Sequence, residues 1–140
     1  MHTSFSSRLN QALGGHPALI VPGLNNSDER HWQSIWQAHL PQSTRIDLDD
    51  WATPDLNRWC NAIARALVVT DQPAILIAHS FGALASARMA ELLPEKVLAL
   101  FLVAPADPDK FTIADQIPQK ALEVKTQLIA SSNDPWMHAE

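Results

Sequence analysis

Apolar residues along this chain follow two rhythms, short dense runs and stripes at helical spacing. The runs are Ala18-Leu-Ile-Val21, Ala74-Ile-Leu-Ile-Ala78 and Val97-Leu-Ala-Leu-Phe-Leu-Val-Ala104. Each has the length and branched content of a buried strand. Thr126-Gln-Leu-Ile-Ala-Ser131 reads as a fifth strand, terminated by Asn133-Asp-Pro135. Arg45-Ile-Asp-Leu-Asp49 alternates polar and apolar residues, which suits an edge strand better than a central one. Between the runs lie helical stripes. Trp32, Ile35, Trp36 and Leu40 share one face of a helix capped by Ser27 or Asp28 and closed by Pro41. Thr53-Pro54 reads as the start of the next helix, whose stripe is Leu56, Trp59, Cys60, Ile63 and Leu67. Ala83 to Leu93 is made of good helix formers and stops at Pro94. Met1 to Pro17 is polar and turn-rich, a loose tail or short first helix. Phe111 to Lys125, interrupted by Pro118, is loop with at most short helix. Strand and helix alternate, so the chain is expected to form one α/β domain over residues 1–140. Its parallel sheet would have right-handed crossovers, helices on both faces and, with the polar strand at an edge, the order 2-1-3-4-5.

The junction of the second dense run with the Ala83 helix carries the candidate chemistry. Only His79, Ser80, Phe81 and Gly82 make the turn. A strand-to-helix turn that tight strains the serine backbone and pushes its hydroxyl out at the strand end. Its neighbours at two residues either side must be small, and they are Ala78 and Gly82. The pattern is G-x-S-x-G with Ala at the first position. The helix would aim its free N–H groups and positive dipole end at Ser80, so the Phe81 N–H could stabilise an oxyanion. In a parallel sheet the loops after the strands converge at the carboxyl edge. Pro22-Gly-Leu-Asn-Asn26 is there to supply a second donor from the Leu24 or Asn25 backbone; the plain alternative is a Pro-Gly turn.

Composition narrows the class. At 140 residues the chain can bury roughly 68% of its unfolded surface. Hydrophobic content of 46% with 18% charged residues is that of a soluble globular protein. A net charge of −5 argues against nucleic acid or an anionic membrane as partner. Cys60 is the single cysteine, which removes disulfides and cysteine-based metal sites, and its apolar stripe marks it as core. No signal peptide or membrane-length run is evident, so a cytoplasmic location is expected.

A serine hydrolase needs an imidazole to take the serine proton and a carboxylate to orient it, in the chain order Ser, acid, His. Asp134 follows the fifth strand and Asp107 the fourth; Asn133-Asp-Pro135 at a strand end favours Asp134. The histidine is harder to place. His138 lies only four residues past Asp134, His79 sits inside the turn with its side chain directed away from the serine's, and His31 belongs to the first long helix, where it caps or packs. His2, His16 and His39 are on remote segments.

Val21-Pro-Gly-Leu-Asn25, Arg30-His-Trp-Gln-Ser34, Ala78-His-Ser-Phe-Gly-Ala-Leu-Ala-Ser86, Val103-Ala-Pro-Ala-Asp-Pro108 and Ala130-Ser-Ser-Asn-Asp-Pro135 together resemble one group. These are the small single-domain serine hydrolases related to retinoblastoma-binding protein nine, within the α/β-hydrolase superfamily. The resemblance runs from about Ala18 to Glu140. It implies Ser80 as nucleophile and Asp134 as triad acid, no cofactor or metal, and small esters or amides as substrates. It also implies a helix, a sixth strand and a Gly-His loop beyond Asn-Asp-Pro, with the histidine roughly 25–30 residues past Asp134. This chain ends six residues after Asp134. The expectation is therefore an α/β-hydrolase core lacking its last strand, with reduced activity. Its fifth strand would be an open edge that invites self-association. The rival expectation is a non-catalytic binding module on the same scaffold, with Trp32, Trp36 and Trp136 as contact surface.

Overall fold

The structure, a computed structural model, describes residues 4–130. Helix α1 (Phe5–Ala12) is capped by Ser4, whose hydroxyl accepts from the Ser7 N–H. Strand β1 (Ala18–Val21), helix α2 (Trp32–His39), strand β2 (Ser43–Arg45) and helix α3 (Leu56–Val68) follow. Then come β3 (Ala74–His79), α4 (Phe81–Leu92), β4 (Val97–Val103), two 3-10 turns at Pro108–Phe111 and Ala114–Gln116, and β5 (Lys125–Ile129). All pairings are parallel and the sheet order is β2-β1-β3-β4-β5, the topology the alternating pattern predicts.

Strand periodicity divides the core in two. Leu19 and Val21 of β1 and Ala74, Leu76 and Ala78 of β3 face α3 and α4. Ala18, Ile20, Ile75 and Ile77 face the other way, into a smaller cluster with Leu9 and Leu40. On the larger side, α4 is buried almost all round between the sheet and α3, and its small residues Gly82, Ala83, Ala85 and Ala87 allow that close approach. The smaller side is finished by an aromatic stack, Trp36 on Phe101 at 5.3 Å and Trp32 edge-on to Trp36 at 5.2 Å.

Four boundaries or faces differ from expectation. α2 begins at Trp32 with His31 as its cap, because Asp28 closes a tighter turn by accepting from the Arg30 and His31 N–H groups. Its inward residue is the fully buried Gln33, while Ile35 is left exposed. α3 begins at Leu56, with the Asp55 carboxylate capping Arg58 N–H; Thr53 instead bonds Asp50. The edge strand β2 lies at Ser43–Arg45, a few residues before the alternating stretch. Cys60 is core as expected: its thiol lies against Ala85 O, and burial pushes its pKa up to about 11.

Candidate active site

The registers Val21↔Ala78, His79↔Val103 and Val103↔Ile129 bring the carboxyl ends of β1, β3, β4 and β5 to one level. Ser80 stands there between β3 and α4. Its backbone is held on three sides: its N–H donates to Val103 O at 3.2 Å, and its carbonyl accepts from Ala83 N–H at 3.0 Å and Ala106 N–H at 3.2 Å. Its φ of 55° and ψ of −122° lie in a sparsely populated region for a residue with a side chain. Such geometry costs about 1–3 kcal/mol and persists only where the surroundings enforce it. Phe81 and Leu84, fully buried just beyond, are the packing that enforces it, each contributing about 1.5–3 kcal/mol.

Ser80 also occupies the N-cap position of α4, where serine ordinarily accepts from an N–H of the first turn. Here it makes no such bond. The hydroxyl leaves the first turn of α4 uncapped.

The β1–α2 loop presses directly on this turn. A Cβ at Gly23 would lie 2.9 Å from the Ser80 Cβ, and a Cβ at Gly82 would lie 2.4 Å from both Val21 O and Pro22 O. Smallness at Gly82 therefore serves the approach of β1, whereas Ala78 is small because it is buried in the α3–α4 core. The loop is pinned from several directions. Trp59 Nε1–H donates to Pro22 O at 2.8 Å, Gln33 Nε2–H to Val21 O at 3.1 Å, and Asn25 N–H to Trp51 O at 2.8 Å. Asn25 and Asn26 both adopt positive φ. Of the two sequence candidates for a second donor, Asn25 thus has its N–H engaged. The N–H groups of Leu24 and Phe81 have no acceptor among the described residues.

An aromatic row, Trp51–Trp59–Phe81–Phe111, runs beneath the turn with centroid separations of 4.9–5.8 Å. On the other side His79 packs on His31 at 4.7 Å and on Trp32 at 6.2 Å. Burial lowers the pKa of His79, and neighbouring His31 lowers it further. His31 Nδ1 accepts from Gln33 N–H, and burial outweighs Asp28 to lower its pKa too. His39 bonds Ser6, and His16 is exposed beside Gly14. No hydrogen bond to the Ser80 hydroxyl is made among the described residues. Asp107 caps the 3-10 turn after β4 by accepting from Asp109 N–H. Asp134, Trp136 and His138 lie outside the described residues. No cluster of three or more metal-ligating side chains exists among the described residues.

Sequence reasoning missed Gln33. It is fully buried, accepts from Ser27 Oγ–H at 2.6 Å and donates to Val21 O and Ile77 O. The available signal was a carboxamide between two tryptophans on a helix facing a strand end.

Known proteins share this fold. A solved structure from Pectobacterium atrosepticum, described as a YdeN-like hydrolase, is 41% identical with a TM-score of 0.87. The match covers 96% of this chain and 73% of that one. A structure of a PytH variant aligns at 17% identity and a TM-score of 0.50, over 65% of this chain and 40% of its own, a likeness of fold alone. No curated protein matches the sequence. The sequence model of the serine hydrolase family matches residues 18–140, a span that includes β1, the Ser80 turn and every later strand, and the chain belongs to that family.

Proposed function

We propose that the chain is an ester- or amide-directed member of the serine hydrolase family, of the kind related to retinoblastoma-binding protein nine, with Ser80 as its nucleophile. The observation that carries this reading is the uncapped, strained Ser80 at the start of α4. An ordinary strand–turn–helix would relax the backbone and let the serine cap the helix; a nucleophile elbow keeps the hydroxyl free. Ser80 Oγ would attack the carbonyl carbon of a small ester or amide and surrender its proton to a base. The oxyanion would be received by Phe81 N–H and Leu24 N–H, at the positive end of α4. Collapse expels the alcohol or amine and leaves an acyl-Ser80, which water then hydrolyses. Asp134 is the proposed acid of the triad. A single cysteine buried in the core accords with a cytoplasmic location.

The test is fluorophosphonate labelling of the 140-residue chain, with the adduct located by mass spectrometry beside Ser80→Ala. Labelling confined to Ser80 and lost in Ser80→Ala, with p-nitrophenyl acetate turnover that depends on Ser80, is the expected result. A folded chain that no acylating probe labels would overturn it and favour a binding module.

A further inference from the structure

We propose that Gln33 is a positioning residue that sets the relative placement of the two backbone donors at Ser80; this rests on the reading of Ser80, Leu24 and Phe81 given above. Its carboxamide is fully buried and uses both N–H bonds at once, to Val21 O at 3.1 Å and Ile77 O at 3.0 Å. The Val21 carbonyl ends β1, and the Ile77 carbonyl lies two residues before the end of the adjacent β3. Val21 leads within three residues to Leu24, and Ile77 within four to Phe81. One rigid planar group therefore clamps the two strand ends from which the donors are hung. A helix side chain serving only as packing would be apolar at this depth, since burying an amide without partners costs several kcal/mol. Here both N–H bonds of the amide are directed at the site's framework.

The clamp is itself held. Ser27 Oγ–H donates to Gln33 Oε1 at 2.6 Å, which fixes which end of the amide faces the strands. Ser34 Oγ–H and the Arg45 guanidinium both donate to Ser27 O, at 3.1 and 2.9 Å. Arg45 also reaches Gln37 Oε1, Asn26 Oδ1 and Ser34 Oγ at 2.8–2.9 Å. A continuous polar network thus runs from the edge strand β2 through α2 to the ends of β1 and β3.

The experiment compares fluorophosphonate labelling kinetics of the wild-type chain, Gln33→Met and Ser27→Ala, at a temperature where circular dichroism shows each fully folded. Met matches the length of Gln but carries no N–H. Ser27→Ala keeps Gln33 and removes only the bond that orients it, so it serves if Gln33→Met does not fold. The maximal labelling rate is expected to fall about 10- to 100-fold in Gln33→Met and less in Ser27→Ala, with the half-saturating probe concentration within about twofold of wild type. An unchanged rate in the folded variants, or a change in half-saturation alone, would overturn the proposal. If the wild type is not labelled at Ser80, the functional reading fails, and the clamp is read by hydrogen exchange. Exchange over residues 22–26, where Asn25 N–H is bonded to Trp51 O, should then accelerate about tenfold or more in the variants. Unchanged exchange there would overturn the positioning role as well.

Discussion

Gly82 shows how one residue can oppose its own helix propensity. At an exposed helix position Gly→Ala gains about 0.8–1 kcal/mol. At Gly82 the added methyl would meet two backbone carbonyls at 2.4 Å, neither of which can swing aside as a side chain would. Overpacking of this kind costs typically about 1–3 kcal/mol. Gly82→Ala is therefore expected to lower the free energy of unfolding by about 2 kcal/mol in urea melts, and to slow probe labelling at Ser80 by displacing the β1–α2 loop. A stabilised Gly82→Ala variant would show that β1 does not press on this turn. The spacing of the Ser80 turn was legible in the sequence, because a serine between small residues on a strand–helix junction is a local pattern. What the glycine accommodates was not, since Val21 and Pro22 are some sixty residues distant and only the fold brings them there. Gln33 escaped for the same reason: its neighbours Trp32 and Trp36 were a signal, but its carbonyl partners lie on two strands that only the fold brings to it.

At the scale of elements, strands were easier to read than helix starts. Dense runs of branched residues can only be buried strands in a chain of this length, and β1, β3 and β4 lie where those runs lie. Helix starts depend on which of several nearby caps wins, and α2 is the clearest case. Ser27, Asp28 and His31 could all cap; Ser27 is engaged by Gln33, Asp28 closes its own turn, and the imidazole is left to accept from Gln33 N–H at 3.1 Å. That choice carries a pH dependence. Burial holds the folded-state pKa values of His31 and His79 below the usual imidazole value of 6.5, and their rings touch. Above 6.5 both are neutral folded or unfolded and contribute no difference. As the pH falls below 6.5 the unfolded chain takes up protons first, so stability declines, and the loss is complete below the folded-state values. Protonation of His31 at Nδ1 also destroys its cap, a contribution of about 1 kcal/mol. Urea melts from pH 7.5 down to 5 should show this decline, and His31→Asn, which caps without titrating, should flatten it. An equal decline in His31→Asn would assign the dependence to other groups.

For the molecule as a whole, the two edges of the sheet are unequal. β2 is short, polar and ended by Arg45, whose guanidinium is drawn back into the α2 network, an edge poorly suited to pairing. Among the described residues β5 is paired only with β4, all five of its residues are exposed, and Leu128 and Ile129 keep 48% and 43% of their surface open. A strand of that length with apolar side chains and a free row of backbone groups is a template for another strand. We expect the 140-residue chain to self-associate through β5. Sedimentation velocity across a hundredfold range of concentration should then show mass rising with concentration. Leu128→Lys, which places a charge on that edge, should weaken association by about tenfold, or ~1.4 kcal/mol. Ser80 labelling should be unaffected, because Leu128 forms none of the hydrogen bonds that hold the Ser80 turn. A monomer at every concentration would show that β5 does not act as a pairing edge. Association that Leu128→Lys leaves intact would move the interface to another exposed apolar surface, such as that where Leu98 on β4 is 39% exposed beside α1.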